Sequence, residues 1–349
     1  MPTLSPETLE RFSRAIFEAA GVPPKDAATI AEVLIGAHLA GHDSHGVIRI
    51  PQYCDAIRTG HYVPGAPIER IHETMTTAIY DANWNFGHVA MRHALDESIE
   101  HARETGLYAA GIRQCNHIGR LGHYTEIAAA EGFVGFLTVN STGRGASVAP
   151  FGGKKGRLGT NPFSIAFPTE GDPILIDMTS SIVAEGKIRV RRHKGEPLPE
   201  GWILDPDGNP STNPEDFYGP PRGAILPFGG PVAHKGFALS MMADLLAGTL
   251  TGAGNVMERD GHIGNGVFLL LIRVDAFRPV DEFRAAASRF GAYVKDCPPA
   301  DGFDEVLLPG EPEARARRER SRSGILIDET TWEHLCAEAE RYGVDVPMD

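Results

Sequence analysis

Helical and strand patterns are unevenly distributed along this 349-residue chain: helices gather at both ends and strands in the middle. That segregation constrains the fold more than any other feature. At the start, Ser5-Pro6 offers a hydroxyl cap followed by a proline at the first helical position. Leu9, Phe12, Ile16 and Phe17 then fall on one face, and Gly21 stops the helix. A second amphipathic helix is predicted over 25–39, with Ile30, Val33, Leu34 and Ala37 inward and Gly41 as its stop. A third begins near Val47, because Pro51 is tolerated only in a first turn, and it places Arg49 and Tyr53 on one face. At the far end, helices are predicted over 281–294 and 328–342. Between these lie strand patterns at 77–81, 108–113, 134–139, 163–167, 174–177 and 267–274, with helical patterns at 90–104, 124–131 and 237–250. The chain is longer than one hydrophobic core usually grows, so two or three domains are expected.

Bulk properties then exclude several function classes. A net charge of −13 argues against a nucleic-acid binder, which needs clustered cations. The longest apolar runs, such as Val267–Ile272, are far short of a membrane span. The first residues lack both the basic and the apolar segment of a signal peptide, and the four cysteines include no CxxC pair. These features predict a cytoplasmic protein with free thiols.

The chemistry is concentrated in Gly41–Tyr53, where Ser44, His45, Arg49 and Tyr53 stand close together. Histidine titrates near neutrality and suits proton transfer, and arginine grips a carboxylate at two points. A proton donor beside a carboxylate clamp suits the reduction of a 2-oxo acid. A surface histidine and a solvated arginine are the alternative reading of these residues alone. A second histidine, His117, follows a strand pattern within Asn116-His117-Ile118-Gly119, where loops at strand ends commonly carry function.

Three further segments could meet an anion. Gly152–Pro162 is a glycine-rich basic loop, but it is neither a P-loop nor a GxGxxG. Asp177-Met178-Thr179-Ser180-Ser181 ends a strand with hydroxyls that either meet a ribose or phosphate or cap the segment 183–190. His234-Lys235 opens an apolar helix after a glycine turn, where unpaired N–H groups and the helix dipole attract anions. Five cations over 187–194 (Lys187, Arg189, Arg191, Arg192, Lys194) and a second basic run over 313–322 are equally readable as solvated helix faces. No metal is expected: His42 and His45 have HxxH spacing, but no third ligand stands at a recognisable distance. No GxSxG nucleophile motif occurs, and the absence of GxGxxG argues against a Rossmann domain.

Taken together, these motifs resemble the malate/L-lactate dehydrogenase family of NAD(P)-dependent oxidoreductases. The likeness rests on Ser44-His45-Gly46-Val47 with Arg49 and Tyr53, then Asn116–Gly119, Leu158–Pro162, Asp177–Ser180, His234-Lys235-Gly236 and Pro309-Gly310-Glu311, all in the family's order. The resemblance implies an α/β fold with a non-Rossmann NAD(P)-binding domain over 76–279 and a helical domain built from 1–75 plus 280–349. It implies NAD or NADP as cofactor, a homodimer, and hydride transfer at C2 of a small 2-oxo or 2-hydroxy acid. A cyclic imino-acid reductase on the same scaffold, or a non-catalytic NAD(P) sensor, is the rival reading. By similarity, His45 and His117 are the acid/base candidates, with a slight preference for His45. Ser44, Arg49, Tyr53 and Thr160 would bind substrate. Ser141, Asp177, Met178, Thr179, Ser180, His234, Lys235, Gly310 and Glu311 would line the cofactor. Two features depart from the family pattern: Cys115 precedes Asn116 where the family often has Ser, and the 187–194 stretch is unusually basic.

Overall fold

The computed structural model describes residues 1–258 and 261–347. Ser5 caps α1 (Pro6–Ala19) as the sequence predicts, its hydroxyl accepting from the Thr8 N–H at 3.1 Å. α1 packs on α2 (Pro24–Leu39), and the eight inward positions expected on these two helices are all buried. The third helix starts later than predicted. Two 3₁₀ turns, Asp43–His45 and Val47–Arg49, precede α3 (Ile50–Arg58), and Pro51 sits in its first turn.

The seven-stranded sheet begins at β2 (Glu69–Glu73) and β3 (Thr77–Asp81). α4 (Gly87–Thr105) carries the chain over to β4 (Leu107–Cys115), which lies parallel to β3. α5 (Leu121–Ala130) follows, then β5 (Phe133–Ser141), β6 (Phe163–Phe167) and β7 (Ile174–Met178). α6 (Glu185–Lys194), α7 (Pro214–Tyr218) and the two-residue strands β8 (Ile203–Leu204), β9 (Pro210–Ser211) and β10 (Ala224–Ile225) form a small appended unit. α8 (His234–Ala243) continues into a π-helical turn, Asp244–Leu250. β11 (Asn265–Arg273) then enters the middle of the large sheet, whose order is β2-β3-β4-β11-β5-β6-β7. Every pair except β3–β4 is antiparallel, so this sheet lacks the parallel βαβ repeats of a Rossmann domain.

α9 (Val280–Lys295), α10 (Glu311–Ser323), β12 (Ile325–Leu326) and α11 (Glu329–Tyr342) complete the chain. β12 pairs with β1 (Thr3–Leu4), and Leu335 and Ala339 of α11 join Leu9, Ile16, Ile30 and Tyr53 in one apolar core. Burying these side chains away from water is the main force joining the two ends. A second core lies between the sheet and α4 and α5, around Tyr80, Tyr108, Leu95, Leu137 and Leu269. A third, around Val148, Ile188, Ile203 and Phe217, holds the appended unit. β2 is an edge strand of the large sheet, and α9 lies against the turn between α5 and β5, with Val280 close to Gly132 and Arg284 donating to the Ala130 carbonyl.

Candidate active site

The first 3₁₀ turn delivers His42, Ser44 and His45 to the mouth of a cleft of about 380 Å³. The turn is possible because residue 46 is glycine: a Cβ there would lie 2.2 Å from the His38 ring. His117 arrives from the opposite side, just beyond β4. Asn116 fixes that strand end by donating to the carbonyls of Trp84 (2.7 Å) and Asn85 (3.1 Å), and Gly87 leaves room for it. The His45 and His117 rings stack with centroids 5.5 Å apart. Behind them stands a dry aromatic layer of Tyr53, Tyr62, Phe86 and His88.

Each histidine has a different partner. The Tyr53 hydroxyl lies 2.7 Å from Nδ1 of His117, and the Ser44 hydroxyl lies 3.2 Å from Nδ1 of His45. Burial raises the Tyr53 phenol, so the hydroxyl keeps its proton and can donate to Nδ1 or accept from it. Loss of solvation, with the Arg49 charge adding to it, lowers His45 to about 3. The same two causes lower His117 well below the usual histidine range. Both imidazoles are therefore neutral at pH 7. Arg49 itself stands behind them, donating Nε to the Ser44 carbonyl at 2.7 Å and Nη1 to Gln52 at 2.8 Å.

The facing wall comes from strand ends. Ser141, Thr160, Asp177, Met178 and Thr179 line the cleft together with Asn140 and Arg120. Ser180 is buried beneath them, and its N–H and hydroxyl both go to the Thr160 carbonyl. The hydroxyls at this strand end do not cap a helix, as one reading of the sequence had it. Thr179 donates to the Ser181 carbonyl, Ser181 to that of Val183, and α6 begins after Ala184 without a side-chain cap.

Sequence reasoning missed three groups here. Arg120 is 3% exposed and lies between Glu126 (3.1 Å) and Asp177 (3.4 Å), and Arg317 also reaches Glu126. Burial pushes the Asp177 carboxyl up; Arg120 and the Gly122 N–H oppose that. His42 meets Glu313 at 3.1 Å. Asp244 opens the π-helical turn and accepts the side-chain amides of Asn140 and Asn161, so it ties two parts of the wall together. Arg120 directly follows the His117 motif, which was its one available signal; Asp244 had none inside an apolar helix.

Arg49, Tyr53 and Ser180 thus sit behind the cleft lining, and four more expected residues stand further from it. His234 and Lys235 are exposed in the first turn of α8, with His234 edge-on to Phe151. Gly310 has left-handed backbone (φ +90°) and packs against Leu175. Glu311 lines a separate cavity of about 300 Å³; partial burial would raise it, but ion pairs with Lys295 and Arg315 hold it at about 2.

The wall fits a nicotinamide dinucleotide. Gly159 keeps it open where a Cβ would crowd Ser141 and Asn161 to 2.6 Å, and Asn161 Oδ1 is buried without a hydrogen-bond partner. An unspent acceptor beside a row of hydroxyls suits a ligand rich in hydrogen-bonding groups. Among the described residues no three His, Cys, Asp or Glu side chains converge to hold a metal ion, and no helix is long and apolar enough to cross a membrane.

Neutral imidazoles backed by a fixed cation thus stand opposite a hydroxyl-lined wall on a non-Rossmann sheet. Residues 4–336 match the malate/L-lactate dehydrogenase family model. Hydroxycarboxylate dehydrogenase B of Escherichia coli K12 is 36% identical over 97% of this chain and 94% of its own length. L-lactate dehydrogenase of Cupriavidus necator is 37% identical over 99% of both chains. The crystal structure of malate dehydrogenase from Entamoeba histolytica superposes with a TM-score of 0.94, at 27% identity and 99% coverage of each chain. The chain belongs to the malate/L-lactate dehydrogenase family.

Proposed function

We propose that this enzyme interconverts a small 2-hydroxy acid and its 2-oxo acid with NAD or NADP, and that His117 is its acid/base group. Family membership and the hydroxy-acid dehydrogenases among its relatives support the reaction class. The observation that carries the assignment is the 2.7 Å contact between Tyr53 and Nδ1 of His117. A base oriented by a third group is the usual arrangement for proton transfer, and His45 has only the weaker contact with Ser44.

The bound nicotinamide carrier supplies or accepts the hydride at C2. The protein's own groups do the rest. When the hydroxy acid is oxidised, neutral His117 takes the hydroxyl proton, with Nδ1–H donating to the Tyr53 oxygen. The proton is taken at Nε2, the ring nitrogen not engaged by Tyr53, and when the oxo acid is reduced Nε2 returns it. The substrate carboxylate belongs near Arg49 and Ser44; once there it offsets the Arg49 charge and so raises the depressed imidazole toward working range. His45 stacks on His117 and orients the substrate. Ser141, Thr160, Asp177, Met178 and Thr179, with Arg120, hold the carrier, and Ser180 supports them from below. His234 and Lys235 face its anionic part at the start of α8. Gly310 and Glu311 act at second hand, by setting β7 and placing Glu313 beside His42.

The working form is a cytoplasmic homodimer, for which exposed Phe290, Tyr293 and Phe303 supply apolar surface. Titration with NADH and NADPH, followed by nicotinamide fluorescence, tests the reading. Saturable binding of at least one is expected, and no binding of either at millimolar concentration overturns it.

A further inference from the structure

A second lobe of about 470 Å³ adjoins the catalytic cleft and shares His42, Ser44 and Lys187 with it. Its other wall is α6, which presents Lys187, Arg191 and Lys194 at i, i+4 and i+7, hence on one face. α6 is held close: a Cβ on Gly186 would lie 3.4 Å from the Ser44 Cβ, and Ile188 is buried in the core of the appended unit. Trp202 completes the wall, with the Arg191 guanidinium 5.7 Å from its ring centre.

The acidic groups around this lobe are already committed. Glu185 pairs with Arg189, Glu196 with Arg191 at 3.5 Å, and Asp43 with His38 and Arg320. Among the described residues Lys187 and Lys194 are left without a carboxylate partner, on a protein whose net charge is −13. Unpaired cations converging on a concave lobe focus potential there and attract an anion.

We propose that Lys187, backed by Arg191 and Lys194, forms an anion subsite contiguous with the catalytic cleft that takes a second acidic group of the bound reactants. The proposal rests on the dehydrogenase reading above. The shared chemistry is a carboxylate, sulfonate or phosphate oxygen meeting the lysine ammonium. Two sources can bring it: a distal acid group of the hydroxy acid, or the extra phosphate that distinguishes NADP from NAD. The position of Lys187 beside Ser44, at the His45 end of the cleft, favours the substrate.

The experiment compares wild type, Lys187→Gln and Lys187→Arg with L-malate (two carboxylates) and L-lactate (one). Each acid is run with NAD and with NADP, with binding titrations of the same acids and reduced carriers alongside. The expected result is a loss of roughly three- to fivefold in kcat/KM for malate, little change for lactate, and recovery in Lys187→Arg, the size that one partly exposed ion pair supports. A selective weakening of NADPH against NADH instead assigns the anion to the carrier's phosphate. If neither the malate/lactate nor the NADPH/NADH ratio moves by twofold, the subsite is overturned while the dehydrogenase reading stands. Discriminating binding without turnover of either acid overturns the dehydrogenase reading and leaves the subsite.

Discussion

The two walls of the catalytic cleft solve opposite electrostatic problems. On one side His117 and His88 pack around Tyr53, His88 also meets Phe86, His45 stacks on His117, and all three are held neutral. On the other, Arg120 joins Asp177 to Glu126 and Arg317 also meets Glu126, while the separate His42–Glu313 pair stands at the mouth. The contrast teaches where proton mobility resides. A neutral imidazole near a fixed cation changes state when an anion arrives.

Replacing the histidines tests that division most severely. His117→Asn is expected to lower kcat by roughly 10²–10⁴-fold and to remove the acidic limb of the kcat–pH profile. His45→Asn is expected mainly to raise KM. Equal kcat losses in both variants would erase the distinction between the two rings, and near-normal kcat in both would end the proton-transfer assignment.

On the charged wall the predicted loss is of stability. Arg120→Met takes the cation from the largely buried Asp177 and leaves Glu126 with Arg317 alone, and should destabilise the fold by about 3–5 kcal/mol, read by denaturant melts. Asp244→Asn, which turns an acceptor of two amides into an amide, should cost about 1–3 kcal/mol and weaken carrier binding more than it slows kcat. A melt unchanged in Arg120→Met would mean that the compensation is dispensable.

Acid titration sharpens the comparison with the smallest effects. His45 is lowered from 6.5 to about 3, so its contribution to stability is complete above about pH 6.5 and is lost as pH falls toward 3. Glu311, lowered from 4.5 to about 2, contributes above about pH 4.5 and is lost as pH falls toward 2. Melting temperature against pH should therefore decline first in the histidine window. In His45→Asn the decline between pH 6.5 and 4.5 should be shallower, with the lower window intact.

Much of this architecture is legible in sequence because burial there is periodic. β3 and β6 fall at the predicted residues, β4, β5 and β7 extend the predicted cores by one or two residues at an end, and β11 starts two residues earlier and ends one earlier. β2 was invisible because all five of its residues are exposed, which leaves no apolar alternation to read. The two histidine motifs were legible as chemistry near a turn and a strand end. Arg120 was not: its burial depends on Asp177, which stands 57 positions further on and meets it only through the sheet. Glu311 was read by resemblance as a cofactor residue, yet its ion pairs run to Arg315, its i,i+4 neighbour on α10, and to Lys295 on α9, which no local pattern announces.

The pairing of β1 with β12 has a consequence for how the chain is made. Leu9, Ile16 and Phe17 leave the ribosome first, but the surface that covers them includes Ile325, Leu335 and Ala339, which leave almost last. At typical rates of synthesis the interval is on the order of tens of seconds. Through that interval the amino-terminal helices are exposed to chaperones, and only in its last part, once Arg273 has emerged, is the sheet behind them complete. A circular permutant that joins residue 347 to residue 1 and opens in an exposed loop would bring the two halves of that core out together, and should gain in folding yield during synthesis while its finished stability stays the same.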